Sequence, residues 1–529
     1  MVYASPRINV CCVGAGYVGG PSSSIMALKV PEIDVTVVDK NALRIAAWNS
    51  DDLPFSEPGL LDAVKAARGS HPLSAFGSIQ MTTTARIPRR KPNLFFSTEV
   101  DSAIRNADII FIAVETPSGK LHGPGKGAAP NLTSFHSVVK HVAKTVEKDI
   151  ILVNKSTVPC GSTEATKQII SPNLRSNIKC QVLSNPEFLA EGTAVQDLLY
   201  PDRILIGSDE TAEGKAAAEA LASLYARWVS EDKIITMNSR SSELSKLAAN
   251  ALLAQRISSI NALSAVCDKI GADITQVSRA CGLDHRIGRH MLRSTLGFGG
   301  SCFTKDVLHL TNTAAQLDLP EVASYFESIV NINYFQTMRF TENIMSRVPS
   351  SHHIGRSTVL AMLGFAFKPD TDDTRESPAI PVIRDLVLLG YQIKIFDPLV
   401  EKAHIWQDIR ASLGGDQYKI DEQVFVCTDV YEACDGASGI AILNSWDQLQ
   451  YLPSVQDINF STTGSDIKMD NIVTCTIEIS SDCVDWERIA DSMQGPKFIF
   501  DGHNFLNHRL TDLGFCIDGI GRPSMYQAS

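Results

Sequence analysis

Ile8-Asn9-Val10-Cys11-Cys12-Val13 runs straight into Gly14-Ala15-Gly16-Tyr17-Val18-Gly19. The short apolar run reads as a buried strand, and the spaced glycines read as a turn that opens a helix. A small-residue segment then reaches about Lys29, and a second apolar run, Val35-Thr36-Val37-Val38, ends in Asp39. Strand, glycine turn, helix, strand and acid thus follow one another as in a dinucleotide-binding unit, with Asp39 twenty residues beyond Gly19. Gly14, Gly16 and Gly19, with Tyr17 and Val18 between them, let a pyrophosphate sit on amides at the helix start, and Asp39 accepts hydrogen bonds from ribose hydroxyls. A carboxylate there repels a 2′-phosphate, so the pattern predicts NAD rather than NADP. Arg44 stands close enough in sequence to add a phosphate or adenine contact.

Outward from this unit the strand theme repeats. Leu94-Phe95-Phe96-Ser97 resumes it, and Ala107 to Val114 is an apolar run of the kind buried on both faces of a parallel sheet, followed by Glu115-Thr116-Pro117. Ile150 to Val153 leads into Lys155-Ser156-Thr157-Val158-Pro159, and Val182-Leu183 leads into Ser184-Asn185-Pro186-Glu187-Phe188-Leu189-Ala190-Glu191-Gly192. Polar groups gather at the carboxyl ends of these strands, where open α/β sheets bind ligands.

Ser239 to Ile270 reads as one long helix carrying Lys246 and Asn250 four apart on one face. Lys246 among Leu247-Ala248-Ala249 either snorkels from an apolar stripe or stands in a cleft. A second long helix is expected from Leu319-Pro320 to about Met345. Thr358 to Gly364, Tyr391 to Pro398 and Phe498 to Gly502 then restart the strand pattern, with Gly364-Phe365-Ala366-Phe367-Lys368 in place of three spaced glycines. That second turn predicts a different nucleotide. The expected class is α/β, with two Rossmann-like doubly wound domains joined by a central helical domain and a long connecting helix. Boundaries are expected at 1–238 (NAD-binding), 239–348 (central) and 349–529 (C-terminal), with surface insertions at about 70–92 and 452–483.

The 529 residues are too many for a single core. A net charge of -11 and a pI near 5.6 disfavour nucleic acid or an anionic membrane as the main partner. No apolar stretch approaches the roughly 18 residues of a membrane span, and no signal-peptide core precedes the first strand, so a cytoplasmic location is expected. The twelve cysteines show no Cys-x-x-Cys pair, and neither structural zinc nor any other metal is expected.

One cysteine stands apart. Gly297-Phe298-Gly299-Gly300-Ser301-Cys302-Phe303-Thr304-Lys305-Asp306 crowds three glycines into four positions and then delivers a thiol and, four residues on, a carboxylate. A helix beginning at Phe303 puts Cys302 near its N-terminus, where amide dipoles favour an anion, and Asp306 one turn along the same face. Read alone, Cys302 is either a nucleophile or a packing residue.

These motifs together resemble the eukaryotic UDP-glucose 6-dehydrogenases of the UDP-glucose/GDP-mannose dehydrogenase family. The resemblance is carried by Gly14 to Pro21, Lys155 to Pro159, Asn185 to Gly192, Glu243 to Asn250 and Gly297 to Asp306, and it covers nearly the whole chain outside the insertions and tips. It implies oxidation of UDP-glucose to UDP-glucuronate by two hydride transfers to NAD, with Cys302 forming a thiohemiacetal and then a thioester that is hydrolysed. By the same resemblance Lys246 and Asn250 stabilise oxyanions, Asp306 and Thr157 position water, and Glu187 assists acid–base transfer. Glu191, Thr116 and Ser156 fall on the cofactor side. Substrate contacts fall on Glu187, Phe188, Leu189, Lys246, Asn250, Arg293, Phe298, Gly299, Lys368 and His503. Arg286 is expected to reach a neighbouring subunit's substrate, and Arg375 a neighbour's cofactor. The resemblance therefore implies a homodimer or larger assembly, up to a hexamer.

Two positions depart from the family pattern. His503 stands in Asp501-Gly502-His503 where Arg is usual, replacing a fork charged at any pH with a weaker, titrating group. Glu115 stands where Asn is usual before Thr-Pro. Two other readings remain open at this point: a dehydrogenase for another UDP sugar, or a weakly active paralogue that binds nucleotide sugars.

Overall fold

The structure is a computed structural model that describes residues 7–69, 91–121, 128–350, 358–414, 417–450 and 483–526. The insertions expected at about 70–92 and 452–483 lie almost wholly outside these residues, as do Arg89 and Arg90. The chain divides into two compact units, Met1–Leu253 with Cys302–Ser328, and Ala254–Ser301 with Ile329–Ser529.

In the first unit the strands are β1 (Asn9–Val13), β2 (Asp34–Val38), β3 (Leu94–Ser97), β4 (Ile109–Ile112), β7 (Ile150–Asn154), β8 (Cys180–Ser184), β9 (Ile204–Ser208) and β10 (Ile234–Asn238), while β5 (Ser118–Leu121) and β6 (Ala128–Pro130) form a separate antiparallel pair. The sheet order is β10-β9-β8-β7-β4-β1-β2-β3. Its pairings are parallel except where β8 meets β9 at Ser184 and Gly207. All four residues of β4 are buried, as a strand covered on both faces requires. The strand order reverses between β1 and β4, which opens a crevice at their carboxyl ends. Helix Gly19–Lys29 is buried from Gly19 to Leu28 and packs its small residues on the sheet. Trp48 is wholly buried, and a Cβ on Gly20 would lie 2.0 Å from its ring, so Gly20→Ala would break this packing.

In the second unit the strands are β11 (Val359–Leu363), β12 (Gln392–Phe396), β13 (Val424–Val426), β14 (Gly439–Ile442), β15 (Lys497–Asp501) and β16 (Phe515–Gly519). They form an all-parallel sheet in the order β13-β12-β11-β14-β15-β16, again reversing beside the first strand. The expected class is therefore seen, with two Rossmann-like sheets and helices between them in sequence. The two long helices are Ser239–Ile270 and Pro320–Arg347, and the boundary between the units falls inside both.

Both sheets use one device at the first turn. An acid closing the second strand holds the amides that follow the first strand. Asp39 Oδ2 accepts from Ala15 N at 3.0 Å. Asp397 Oδ2 accepts from Phe365 N at 2.7 Å and Ala366 N at 3.1 Å, while its Oδ1 takes Leu399 N and Val400 N. Asp397 is thus spent on backbone, which fits a second half whose turn lacks the three spaced glycines.

Candidate active site

The glycine turn is shaped from both sides. Gly14 has φ +112, and a Cβ there would lie 2.3 Å from the Ala113 carbonyl oxygen at the end of β4. A Cβ on Gly19 would lie 2.0 Å from the Gly14 oxygen, whereas nothing lies within 4 Å of that position on Gly16. Two glycines close the turn and the third leaves its outer side open, as a bound pyrophosphate requires. Trp48 Nε1 donates to the Ala15 carbonyl at 2.9 Å and braces the turn. Asp39 also accepts from Asn41 N at 2.9 Å and from Arg44 Nη1 at 3.2 Å, so Arg44 is tied to the acid. Tyr17 and Phe55 pack at a 46° tilt with centroids 4.8 Å apart. Ser156 Oγ donates to the Val114 carbonyl at 2.8 Å, and Thr116 Oγ1 donates to the Thr157 carbonyl at 2.6 Å, which locks the ends of β4 and β7 together. Glu115 is exposed and Glu191 half-buried.

Of the expected catalytic side chains of the first unit, Asp306 meets Asn250, and Lys246 and Glu187 lie around Phe188, while Cys302 and Thr157 adjoin them along the chain. Cys302 takes the position just before helix Phe303–Gln316, and Asp306 N donates to its carbonyl at 2.9 Å. Asp306 is wholly buried and accepts from Asn250 Nδ2 at 2.6 Å. Four residues before Asn250, the buried Lys246 ammonium sits 5.2 Å from the centroid of the Phe188 ring. Next to Phe188 in the chain is Glu187, whose Oε2 is 2.7 Å from the buried Lys155 Nζ. Burial pushes Glu187 up, but Lys155, its hydrogen bond and the Phe188 amide outweigh that and hold it below the usual carboxylate range. Thr157 lies two residues after Lys155, half-buried. Glu243 accepts from Gly161 N, Thr163 N and Thr163 Oγ1 at 2.6 to 2.7 Å, pinning the start of helix Ser162–Ile170 to helix Ser239–Ile270.

In the second unit, Asn333 clamps Phe298 from both sides: its Oδ1 accepts from Phe298 N at 2.8 Å and its Nδ2 donates to the Phe298 carbonyl at 2.9 Å. Gly299 is required because a Cβ there would lie 2.5 Å from the Glu376 carbonyl oxygen. Arg293 Nε donates to the His503 carbonyl at 2.8 Å. His503 Nε2 meets the Leu443 carbonyl at 3.0 Å, so this nitrogen carries the proton. Burial lowers the His503 pKa, and nearby Arg293 adds to the effect. Lys368 Nζ lies 5.3 Å from the Phe367 ring centroid. Arg286 and Arg375 are exposed, each in an ion pair with the aspartate two residues earlier: Asp284 at 2.7 Å and Asp373 at 2.5 Å.

Comparison with known proteins places these features. Residues 8–87 and 80–229 match the NAD binding domain of the UDP-glucose/GDP-mannose dehydrogenase family, residues 240–334 its central domain and residues 361–465 its UDP binding domain. The chain is 43% identical over 526 residues to UDP-glucose 6-dehydrogenase 2 of Arabidopsis thaliana, covering 98% of this chain and 97% of the relative. It is also 43% identical over 517 residues to UDP-glucose 6-dehydrogenase of Gallus gallus, covering 97% of this chain and 93% of that one. This chain belongs to the UDP-glucose/GDP-mannose dehydrogenase family. A solved UDP-glucose dehydrogenase from the archaeon Pyrobaculum islandicum superposes with a TM-score of 0.69 at 29% identity, over 85% of this chain and 92% of that one.

Membership of the UDP-glucose/GDP-mannose dehydrogenase family makes NAD the cofactor, and the open side of Gly16 together with the Asp39 carboxylate fits it. Lys155 and Ser22 contact Glu187, Asn185 and Tyr225 hold Lys155, and Asn333 sets Phe298. Lys155 and Asn185 stand inside motifs that the sequence singles out, whereas Ser22, Tyr225 and Asn333 carry no local signal of their role. Arg286 and Arg375 are each held by the aspartate two residues earlier, Asp284 and Asp373, in the same Asp-x-Arg spacing.

Proposed function

We propose that this protein oxidises UDP-glucose to UDP-glucuronate in two NAD-dependent steps without releasing the aldehyde. The reading is carried by one observation: Cys302 opens the helix whose first turn bears Asp306, and Asp306 is bound to Asn250 one turn from Lys246. A nucleophile, a buried carboxylate, an amide donor and a buried cation are the groups that a thioester route needs. The names of the Arabidopsis and chicken relatives support the same substrate.

NAD, when bound, accepts a hydride from C6 in each oxidation. The residues do the rest. Lys246 and Asn250 face the oxygen that gains negative charge as the alcohol is oxidised and again as the Cys302 sulfur adds to the aldehyde carbon. The resulting thiohemiacetal has a C–H to give up, and its oxidation leaves a thioester on Cys302. Asp306 and Thr157 place the water whose oxygen attacks that carbonyl, and the thiol leaves. Arg293, Phe298, Gly299, Lys368 and His503 bind the nucleotide sugar, with Asn333 and Glu376 shaping the loop. His503 is a neutral hydrogen-bonding group in this role, where an arginine would bring charge.

The three-part division at residues 238 and 348 belongs to this reading. So does assembly as a homodimer or larger oligomer in the cytoplasm, with Arg286 and Arg375 serving a neighbouring copy. Leu263, Val266, Tyr334, Phe335 and Met338 are exposed apolar side chains on the two long helices and support self-association. No helix among the described residues is long and apolar enough to cross a membrane.

The test is NADH formed per UDP-glucose consumed, run beside UDP-N-acetylhexosamines. Two NADH per UDP-glucose is the expected result. No NADH from folded protein shown to bind NAD would overturn the assignment.

A further inference from the structure

Lys155 immediately follows β7, two residues before Thr157, with only 4% of its side chain exposed. Its three ammonium protons have three acceptors: Glu187 Oε2 at 2.7 Å, Asn185 Oδ1 at 3.2 Å and the Tyr225 hydroxyl oxygen at 3.5 Å. These acceptors are themselves fixed. The Tyr225 hydroxyl donates to Asn185 Oδ1 at 2.7 Å, and Asn185 Nδ2 donates to the Leu205 carbonyl at 2.8 Å.

Glu187 is just as fully engaged. Its Oε1 accepts from Phe188 N at 2.9 Å and Leu189 N at 3.2 Å, and its Oε2 takes Ser22 Oγ at 3.3 Å beside Lys155. A carboxylate with four donors is an anchor, with little capacity left to carry a proton for the substrate. What it anchors is the turn that presents Phe188, whose ring lies 5.2 Å from Lys246 Nζ and 3.9 Å from the Arg203 guanidinium. We propose that Lys155 is a positioning residue: its buried ammonium, acting through Glu187, fixes the turn that sets the Phe188 ring beside Lys246. The proposal rests on the oxidation inferred above, and it gives Glu187 a holding role.

The pair also sets the pH response. The charged and titrating groups around the Lys155–Glu187 pair are Lys246 from helix Ser239–Ile270 and Tyr225 from helix Ala212–Tyr225, Arg203 across the Phe188 ring, and, on the Lys155 side, Cys12 from β1, whose thiol burial pushes up to about 11. With Lys155 present, the upward push of burial on Glu187 is outweighed. Without it, burial acts against Lys246 and the backbone amides alone, and Glu187 protonates at higher pH.

The test uses Lys155→Met, Lys155→Arg and the double variant Lys155→Met/Glu187→Gln in the full chain. NADH formation with UDP-glucose is followed across pH 5.5 to 9, beside thermal melts. In Lys155→Met, kcat is expected to fall on the order of 100-fold near neutral pH and to recover in part as pH rises, an acidic limb the parent lacks. Lys155→Arg keeps the charge and is expected within about 10-fold of the parent. A folded Lys155→Met with the parent's kcat and pH profile overturns the proposal. Where Lys155→Met does not fold, the double variant decides, because removing both charges leaves no unpaired buried ion. It is expected to fold and to melt above the single variant; a double variant no more stable than the single overturns the pairing. That arm needs no turnover, so it stands apart from a parent protein that fails to oxidise UDP-glucose.

Discussion

Asn250 Nδ2 donates to Asp306 Oδ2 at 2.6 Å and so joins the helix that carries Lys246 to the helix that Cys302 opens. The other carboxylate oxygen, Oδ1, is buried with no hydrogen bond among the described residues, and Lys305 Nζ stays 3.8 Å away. One oxygen is therefore held, while the other is left for a water or a substrate hydroxyl. Asn250→Ala strips the held oxygen of its donor. It is expected to lower kcat by on the order of 100-fold and to cost about 1–3 kcal/mol of stability. Steady-state NADH formation and urea unfolding measure the two; unchanged kcat would remove Asn250 from the chemistry.

Asp306→Asn keeps the shape and deletes the charge that the proposed mechanism uses to direct the attacking water. Hydrolysis is then expected to become the slow step, so the thioester accumulates on Cys302. Intact-protein mass spectrometry after mixing with UDP-glucose and NAD should show a covalent adduct, absent when Cys302→Ala is added. Cys302→Ala alone should stop after the first oxidation, with at most one NADH per sugar and an aldehyde that hydroxylamine traps.

The Asp39 carboxylate braces the glycine turn, since Oδ2 holds Ala15 N and Arg44, and in the proposed role its charge opposes a 2′-phosphate. Asp39→Asn keeps an acceptor for the turn. The KM for NAD is expected to rise about 10-fold and the preference over NADP to narrow by at least as much, a change of about 1.4 kcal/mol. Paired titrations with the two cofactors test this, and an unchanged preference ratio would show that selection lies elsewhere.

What was legible in the sequence follows the range of the interactions concerned. β3 and the helix Ser239–Ile270 fall where the apolar pattern puts them, because strand alternation and helical composition are local signals. Cys302, Asp306 and the glycine turn were readable because a motif packs their chemistry into a few consecutive residues. Lys155 with Glu187, and Asn333 with Phe298, were not. Each pair is separated by more than thirty residues and meets only once the sheet or the long helices are in place. The antiparallel meeting of β8 and β9 is likewise a tertiary outcome, since neither strand carries a local mark of direction.

His309 lies one turn beyond Asp306 on the same helix, buried, with neither ring nitrogen hydrogen-bonded among the described residues. Burial, aided by the Lys305 ammonium, lowers its pKa to about 4. An unfolded histidine titrates near pH 6.5, so between the two values the unfolded chain binds the extra proton. The stability held by neutral His309 is therefore complete above about pH 6.5 and is lost as pH falls toward 4, by on the order of 3 kcal/mol at most. His309→Leu removes the group. Carboxylates also titrate in this window, so the informative quantity is the difference between parent and variant in urea unfolding at pH 7.5 and pH 4.5. The parent is expected to lose about 2 kcal/mol more than the variant between these pH values. Equal losses would show that the His309 ring is solvated or paired in the folded protein.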